Sequence, residues 1–282
     1  MVNSKIVTHY QFPSKKVKVP CKIALIADTH DIDPESILKE LNSSSPDVIA
    51  IVGDIVTGKG DYQASSSYLP QFDNVVQLLN GCSSIAKTYF SLGNHEWFLM
   101  PDDLKQIAKT GVTVLDNKWI KTGNLTIGGL SSADATRYWT FRDHYNGKYE
   151  KQRGLRQLFI QSETYAVRKA PDYEWLQEFE ELDDFKILLC HHPEYWALQE
   201  PYLKDHHIDL VLSGHAHGGQ VRLGNQGLFA PGQGVLPKYT SGLHQGKYGK
   251  MIISRGLANT SWVPRLFNPC ELIYIDLVPR KA

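Results

Sequence analysis

The chain has 282 residues, 42% of them hydrophobic, enough for a well-buried core and the mark of a globular protein. Thirty basic and thirty acidic residues cancel, which removes the broad electrostatic footprint of a general nucleic-acid binder. No stretch approaches the roughly 18 apolar residues that a membrane helix needs, so integral membrane contact is not expected.

In chain order, the opening "MVNSKIVTHYQFPSKKVKVP" lacks the continuous apolar core of a signal peptide and predicts a soluble, cytoplasmic protein. Lys15, Lys16 and Lys18 suit either a peripheral contact with an anionic membrane or the solvated edge of a strand. "KIALIADTH" and "DVIAIVGD" read as buried strands, with a helix from Pro34 to Asn42 between them carrying Ile37, Leu38 and Leu41. A helix from Gln71 to Asn80 follows, then the strand "TYFSLGNHE" and a helix from Pro101 to Thr110. "NLTIGGLSS", "FKILLCHH" and "IDLVLSGHAH" are further strands, whereas "GGQVRLG", "KMIISRG" and "ELIYIDL" are joined by shorter glycine-bearing turns that predict more antiparallel pairing. Residues 133–170 mix aromatics with charges, the pattern of a substrate-covering insertion or of a pair of amphipathic surface helices. Cys21, Cys82, Cys190 and Cys270 are scattered without a C-x-x-C pair, which argues for reduced packing residues. Alternation of strands and helices predicts an α/β architecture with parallel crossovers, within one domain spanning 1–282.

In parallel sheets ligands collect beyond the carboxyl ends of the strands, and five of these strands end on polar residues. Asp28 and His30 stand in "ADTH", Asp54 in "VGD", Asn94 and His95 in "GNHE", His191 and His192 in "LLCHHP", His215 and His217 in "GHAH". If extended, both the Asp28/His30 and the His215/His217 pairs would share one face, about 6.5 Å apart along the chain. Oxygen and imidazole donors without thiolate suit Mn, Fe or Zn. Two divalent ions about 3.5 to 4 Å apart repel each other and need a bridging carboxylate, for which Asp54 is the candidate.

These five blocks, in this order, resemble the calcineurin-like metallophosphoesterase superfamily, in a branch of bacterial phosphodiesterases and phosphohydrolases. The resemblance implies a four-layer α/β/β/α sandwich with a dinuclear site at the strand ends. It implies that Asp28, His30 and His217 hold one metal, that Asn94, His191 and His215 hold the other, and that Asp54 lies between. His191 is preferred to His192 because the family block reads His, any residue, Pro, and "HHP" meets it only from His191. His95 resembles the family's general acid, and an imidazole is suited to protonating a leaving oxygen. The nucleophile implied is water made acidic by the metals, acting on a small-molecule phosphoester, with a phosphodiester the first expectation.

The chain departs from the protein phosphatases of that superfamily, which read G-D-x-V-D-R-G where this one reads "GDIVTGKG", with Thr57 and Gly58 in place of Asp and Arg. His95 thereby loses that carboxylate partner, for which Glu96 is the nearest substitute. Gly218 and Gly219 would let the backbone pass close to the metals, and Tyr239, His244 and Arg255 are candidates for the pocket wall. A phosphomonoesterase, a nucleotide- or lipid-linked pyrophosphatase, a nuclease and a non-catalytic scaffold of the same fold are the competing classes.

Overall fold

The computed structural model describes residues 5–57, 69–99, 101–132, 172–259 and 263–280. Two six-stranded sheets dominate it. The first is built from β1 (Lys5–Ser14), β2 (Cys21–Ile26), β3 (Val48–Val52), β4 (Lys87–Ser91), β5 (Thr113–Val114) and β16 (Cys270–Pro279), in the order β1-β16-β2-β3-β4-β5. The second contains β6 (Lys118–Thr122), β7 (Leu125–Leu130), β8 (Phe185–Cys190), β9 (Leu210–Ser213), β14 (Gly242–Gln245) and β15 (Lys250–Ile253), in the order β14-β15-β9-β8-β7-β6. Strands β2 to β5 run parallel, as do β7, β8, β9 and β15. Two small antiparallel pairs follow β9, namely β10 (Arg222–Leu223) with β11 (Gln226–Gly227) and β12 (Phe229–Ala230) with β13 (Gly234–Val235).

The strands are apolar on both faces because each face has its own partner. In β3, Ile49 and Ile51 join an outer cluster with Ile37 and Leu41 of α1 (Glu35–Ser44) and Val75 and Leu79 of α2 (Asp73–Ile85), to which Ile107 of α3 (Pro101–Lys109) also belongs. Val48, Ala50 and Val52 of the same strand turn inward and meet Leu189 of β8, Leu212 of β9 and Ile252 of β15 in the layer between the sheets. Leu188, Val211 and Met251 face the far side, where Leu176 and Phe179 of α4 (Leu176–Glu180) and Trp196 of α5 (Glu194–Ala197) cover them. The expected α/β/β/α order of layers is therefore present, and each fully buried Ile or Leu in it contributes about 1.5 to 3 kcal/mol.

The helices lie where the apolar spacing puts them, with α2 shifted to begin at Asp73 and run on to Ile85. Strand β1 was not resolved as an element by the pattern; it alternates half-buried and exposed residues at the sheet edge, beside β16. Lys16, just beyond it, is 2.9 Å from Asp209 and so is engaged within the fold. All four cysteines are free thiols. The 133–170 stretch lies outside the described residues, as does Gly58. Among the described residues no helix is long and apolar enough to cross a membrane.

Candidate metal centre

The strands that end in polar residues all stop at one edge of the two sheets. Asp28 and His30 follow β2, Asp54 follows β3, and Asn94 and His95 follow β4. His191 follows β8, and His215 and His217 follow β9.

The shared-face geometry expected for the i, i+2 pairs does not hold. Asp28, His30, Asp54, His215 and His217 all have positive φ, between 45° and 65°, and His217 opens a single 3-10 turn to Gly219. The chain leaves each strand and coils back on itself, which brings donors from neighbouring strands together instead of lining them along one strand. Non-glycine residues in this region cost of order 1 to 3 kcal/mol each and persist only where surroundings hold them. Here the hold is explicit: Asp28 N–H donates to Gly53 O (3.2 Å), His30 N–H to Asp54 O (3.1 Å) and Gly214 N–H to His191 O (3.0 Å). His215 N–H donates to the Asp28 carboxylate at 3.1 Å.

One donor atom each from Asp28, His30 and His217 lie within 4.8 Å of one another, as do those of Asp54, His191 and His215. The groups meet at the carboxylates. His30 Nε2 is 3.9 Å from both Asp28 Oδ1 and Asp54 Oδ2, and His191 Nε2 is 3.2 Å from Asp54 Oδ2. His217 Nε2 lies 3.6 Å from Asp28 Oδ1. His95 Nε2 is 3.8 Å from Asp54 Oδ2 with its side chain 27% exposed, while the rings behind it are sealed.

The unsatisfied atoms show what the cluster lacks. His30 Nε2, His191 Nε2 and Asn94 Oδ1 are buried with no hydrogen-bond partner. Both histidines engage their other ring nitrogen on a main-chain oxygen, Nδ1 of His30 on Val56 O (3.0 Å) and Nδ1 of His191 on Val52 O (2.8 Å). A carbonyl can only accept, so Nδ1 carries a proton and Nε2 is the atom turned inward, where it would give its lone pair to a cation that displaces any proton there, the arrangement usual for a metal-bound imidazole. Orphaned donor atoms of N and O type, without sulfur, fit a pair of divalent cations.

Charge in the cluster is strongly coupled. Burial and the Asp54 carboxylate push Asp28 up to about 7, against the pull of His191. Burial would raise Asp54 as well, but His191, His95 and His30 together hold it well below the usual carboxylate range. Burial disfavours a charged His191, yet Asp54 and Asp28 outweigh it and carry the ring to about 10. Burial and His95 bring His30 down to about 3, and burial lowers His215 and His217 too. Divalent charge would reverse this pattern at Asp28 and His191 by competing with their protons.

Glu96 does not partner His95. Its buried carboxylate turns away and accepts main-chain N–H groups from Gly93 (2.6 Å), Asp54 (2.8 Å), Ile55 (2.8 Å) and Val56 (3.4 Å), which ties the Asp54 loop to the Asn94 turn. Burial and Asp54 push Glu96 up to about 7 against the pull of those N–H groups. His192 packs against His215 with the rings tilted by 46° (centroids 4.1 Å apart) and has Nδ1 3.5 Å from Glu194. Gly218 and Gly219 do sit at close approaches: a Cβ on Gly218 would stand 2.2 Å from Asn268 Oδ1, and one on Gly219 2.4 Å from Gly227 Cα. Tyr239 is held through its main chain by Gln233, His244 by Ser241 O, and Arg255 lies beside Glu271.

A model of the calcineurin-like phosphoesterases matches residues 21–219. The chain belongs to that family. This calcineurin-like phosphoesterase is similar to the uncharacterized metallophosphoesterase Cj0846 of Campylobacter jejuni, 27% identical over 94% of this chain and 61% of that one. It is also similar to YkuE of Bacillus subtilis, an uncharacterized metallophosphoesterase 29% identical over 87% of this chain and 72% of that one. It thus spans about three fifths of the Campylobacter relative's length. Among solved structures, a dimetal phosphatase from Danio rerio shares the fold at a TM-score of 0.51 and 14% identity, covering 84% of this chain and 87% of that one.

Two residues of this phosphoesterase that sequence reasoning passed over hold His217. Arg265 donates Nη2 to His217 Nδ1 (3.1 Å), and the same guanidinium grips Ala258 O through Nε (3.1 Å) and Nη2 (2.6 Å). Asn268 donates Nδ2 to His217 O (2.7 Å) and Gln220 O (3.1 Å). They lie some fifty positions downstream and repeat no motif, so nothing in the sequence links them to the turn.

Proposed function

We propose that the chain is a dinuclear metal-dependent phosphohydrolase, working as one domain over 1–282 and acting first on a phosphodiester of a small molecule. The observation that carries this is the setting of Asp54, whose Oδ2 stands within 3.2 to 3.9 Å of His191, His95 and His30 Nε2. A carboxylate so placed suits a bridge between one cation held by Asp28, His30 and His217 and another held by Asn94, His191 and His215. Mn, Fe or Zn would supply charge to the phosphoryl oxygens and bring a water's pKa near 7.

The remaining chemistry belongs to the side chains. Asp54 Oδ1 accepts His95 N–H at 2.8 Å, so the carboxylate at the centre also sets the position of the acid. With Nε2 toward Asp54 and its ring partly open to solvent, His95 is placed to deliver a proton to the departing oxygen. Glu96 keeps the Asp54 and Asn94 turns in register by its main-chain bonds. The side chains of His30 and His191 are sealed from solvent.

The test is hydrolysis of bis(p-nitrophenyl) phosphate by the purified protein supplied with manganese. Asp54→Asn or His191→Ala should abolish turnover with the fold kept, and full activity in either variant would exclude the assigned centre. Hydrolysis of p-nitrophenyl phosphate with none of the diester would shift the substrate to a monoester.

A further inference from the structure

A third group of donors stands beside the two that meet at Asp28 and Asp54. One ligand atom each from His192, Glu194 and His215 lie within 4.8 Å of one another, and His215 belongs as well to the group of Asp54 and His191. His192 and Glu194 have no part in the hydrolysis proposed above. The His192 side chain is 17% exposed, whereas those of His191, Asp28 and His30 are sealed.

Glu194 is only 6% exposed, and its two oxygens have different surroundings. Oε1 accepts Nε2 of Gln233 at 2.7 Å. That amide is oriented in turn by the main chain of Tyr239, whose N–H donates to Oε1 of Gln233 (2.9 Å) and whose carbonyl accepts from Nε2 (2.7 Å). Oε2 is buried with no hydrogen-bond partner among the described residues, and it stands 3.5 Å from Nδ1 of His192. A carboxylate oxygen fixed in this way costs free energy unless a donor or a cation reaches it. Two ligand atoms each about 2.0 to 2.2 Å from a tetrahedral zinc lie roughly 3.3 to 3.6 Å apart, so the spacing of His192 and Glu194 matches one edge of such a site.

We propose that His192, Glu194 and His215 form a way station for a divalent cation, through which the ion passes between solvent and the seat of Asn94, His191 and His215. The inference rests on the dinuclear reading of the centre. Because His215 is common to both groups, an ion can trade His192 and Glu194 for His191 and Asn94 without giving up that ligand. Nitrogen and oxygen donors without sulfur make up both sets, so a cation suited to one is suited to the other.

The test is the release of zinc from the fully loaded chain into a chromogenic chelator, with ion content fixed beforehand by elemental analysis. Glu194→Gln keeps Oε1 on Gln233 and puts an amide nitrogen where the free oxygen was, and His192→Phe keeps a ring against His215. Each variant should hold two ions per chain and release the second about tenfold more slowly than the wild type. A merely structural role predicts the opposite sign, since a loosened centre loses its ions faster. With two ions bound, release from either variant as fast as from the wild type, or faster, would overturn the proposal. A third zinc in the wild type that E194Q lacks would overturn it in favour of a separate, permanently filled site. Fewer than two ions in the loaded wild type would overturn the dinuclear reading and this inference with it.

Discussion

Glu96→Gln is the sharpest probe of how the centre is held, because it changes one oxygen to nitrogen and leaves the volume alone. In the native protein Oε2 serves Gly93 and Asp54 N–H, and Oε1 serves Ile55 N–H at 2.8 Å and Val56 N–H at 3.4 Å. The amide nitrogen is a donor and must face one of these sets. Its cheapest position is that of Oε1, where it removes one close charge-assisted bond, about 1.5 to 3 kcal/mol, and leaves buried donors opposed at about 1 to 3 kcal/mol more. The sum is about 2.5 to 6 kcal/mol, a large share of the roughly 5 to 15 kcal/mol available to a folded protein. A domain of this size loses about 2 to 4 °C of melting temperature per kcal/mol, so the midpoint should fall by about 10 °C. Urea and thermal unfolding of the metal-free variant measure this directly. A loss under about 1 kcal/mol would mean that the four main-chain contacts are not what holds the Asp54 loop.

Burial and His191 bring His192 down to about 3, so the folded state keeps that ring neutral where the unfolded chain protonates it. The unfolded state therefore binds more protons between pH 6.5 and about 3, and stability drops as pH falls through that window. Replacing His192 by Phe should flatten the pH dependence of urea unfolding there by about 1.4 kcal/mol per unit, and an unchanged slope would refute the assignment. Gly256→Ala places a Cβ 2.7 Å from Asp28 Cβ at a φ of +74°, and should lower both melting temperature and bound metal by elemental analysis. Arg265→Lys gives up the fork on Ala258 O and the contact to His217; a loss of about 2 kcal/mol by denaturant titration is expected, with weaker cation binding by calorimetry.

Strand identity was legible because apolar residues fill both the inner and the outer positions over most of β2, β3, β8 and β9, which a strand covered on both faces requires. The donor residues were legible for a related reason: Asp28, Asp54, Asn94 and His191 interrupt those apolar runs at their ends, where polar side chains need a use. Their local geometry was not legible. Nothing in the pair "HAH" signals a φ of 65° and 46°, since the turn is imposed by bonds to Asp28 and Asn268, far off in the chain. Glu96 was misplaced for the same reason; its partners are main-chain groups about forty residues upstream, and a main-chain N–H leaves no mark in a sequence. The edge strand β1 escaped notice because its alternation is weak and Pro13 sits inside it.

The donors are divided between the sheets: Asp28, His30, Asp54 and Asn94 hang from the first, and His191, His215 and His217 from the second. A slip of one residue between the layers, about 3.3 Å, would part atoms that now stand 3.2 to 3.9 Å apart across the seam. Cation affinity thus becomes a gauge of how the two halves are seated. Substitutions at Leu189 or Ile252, deep in the shared layer, should register as faulty metallation before they register as unfolding.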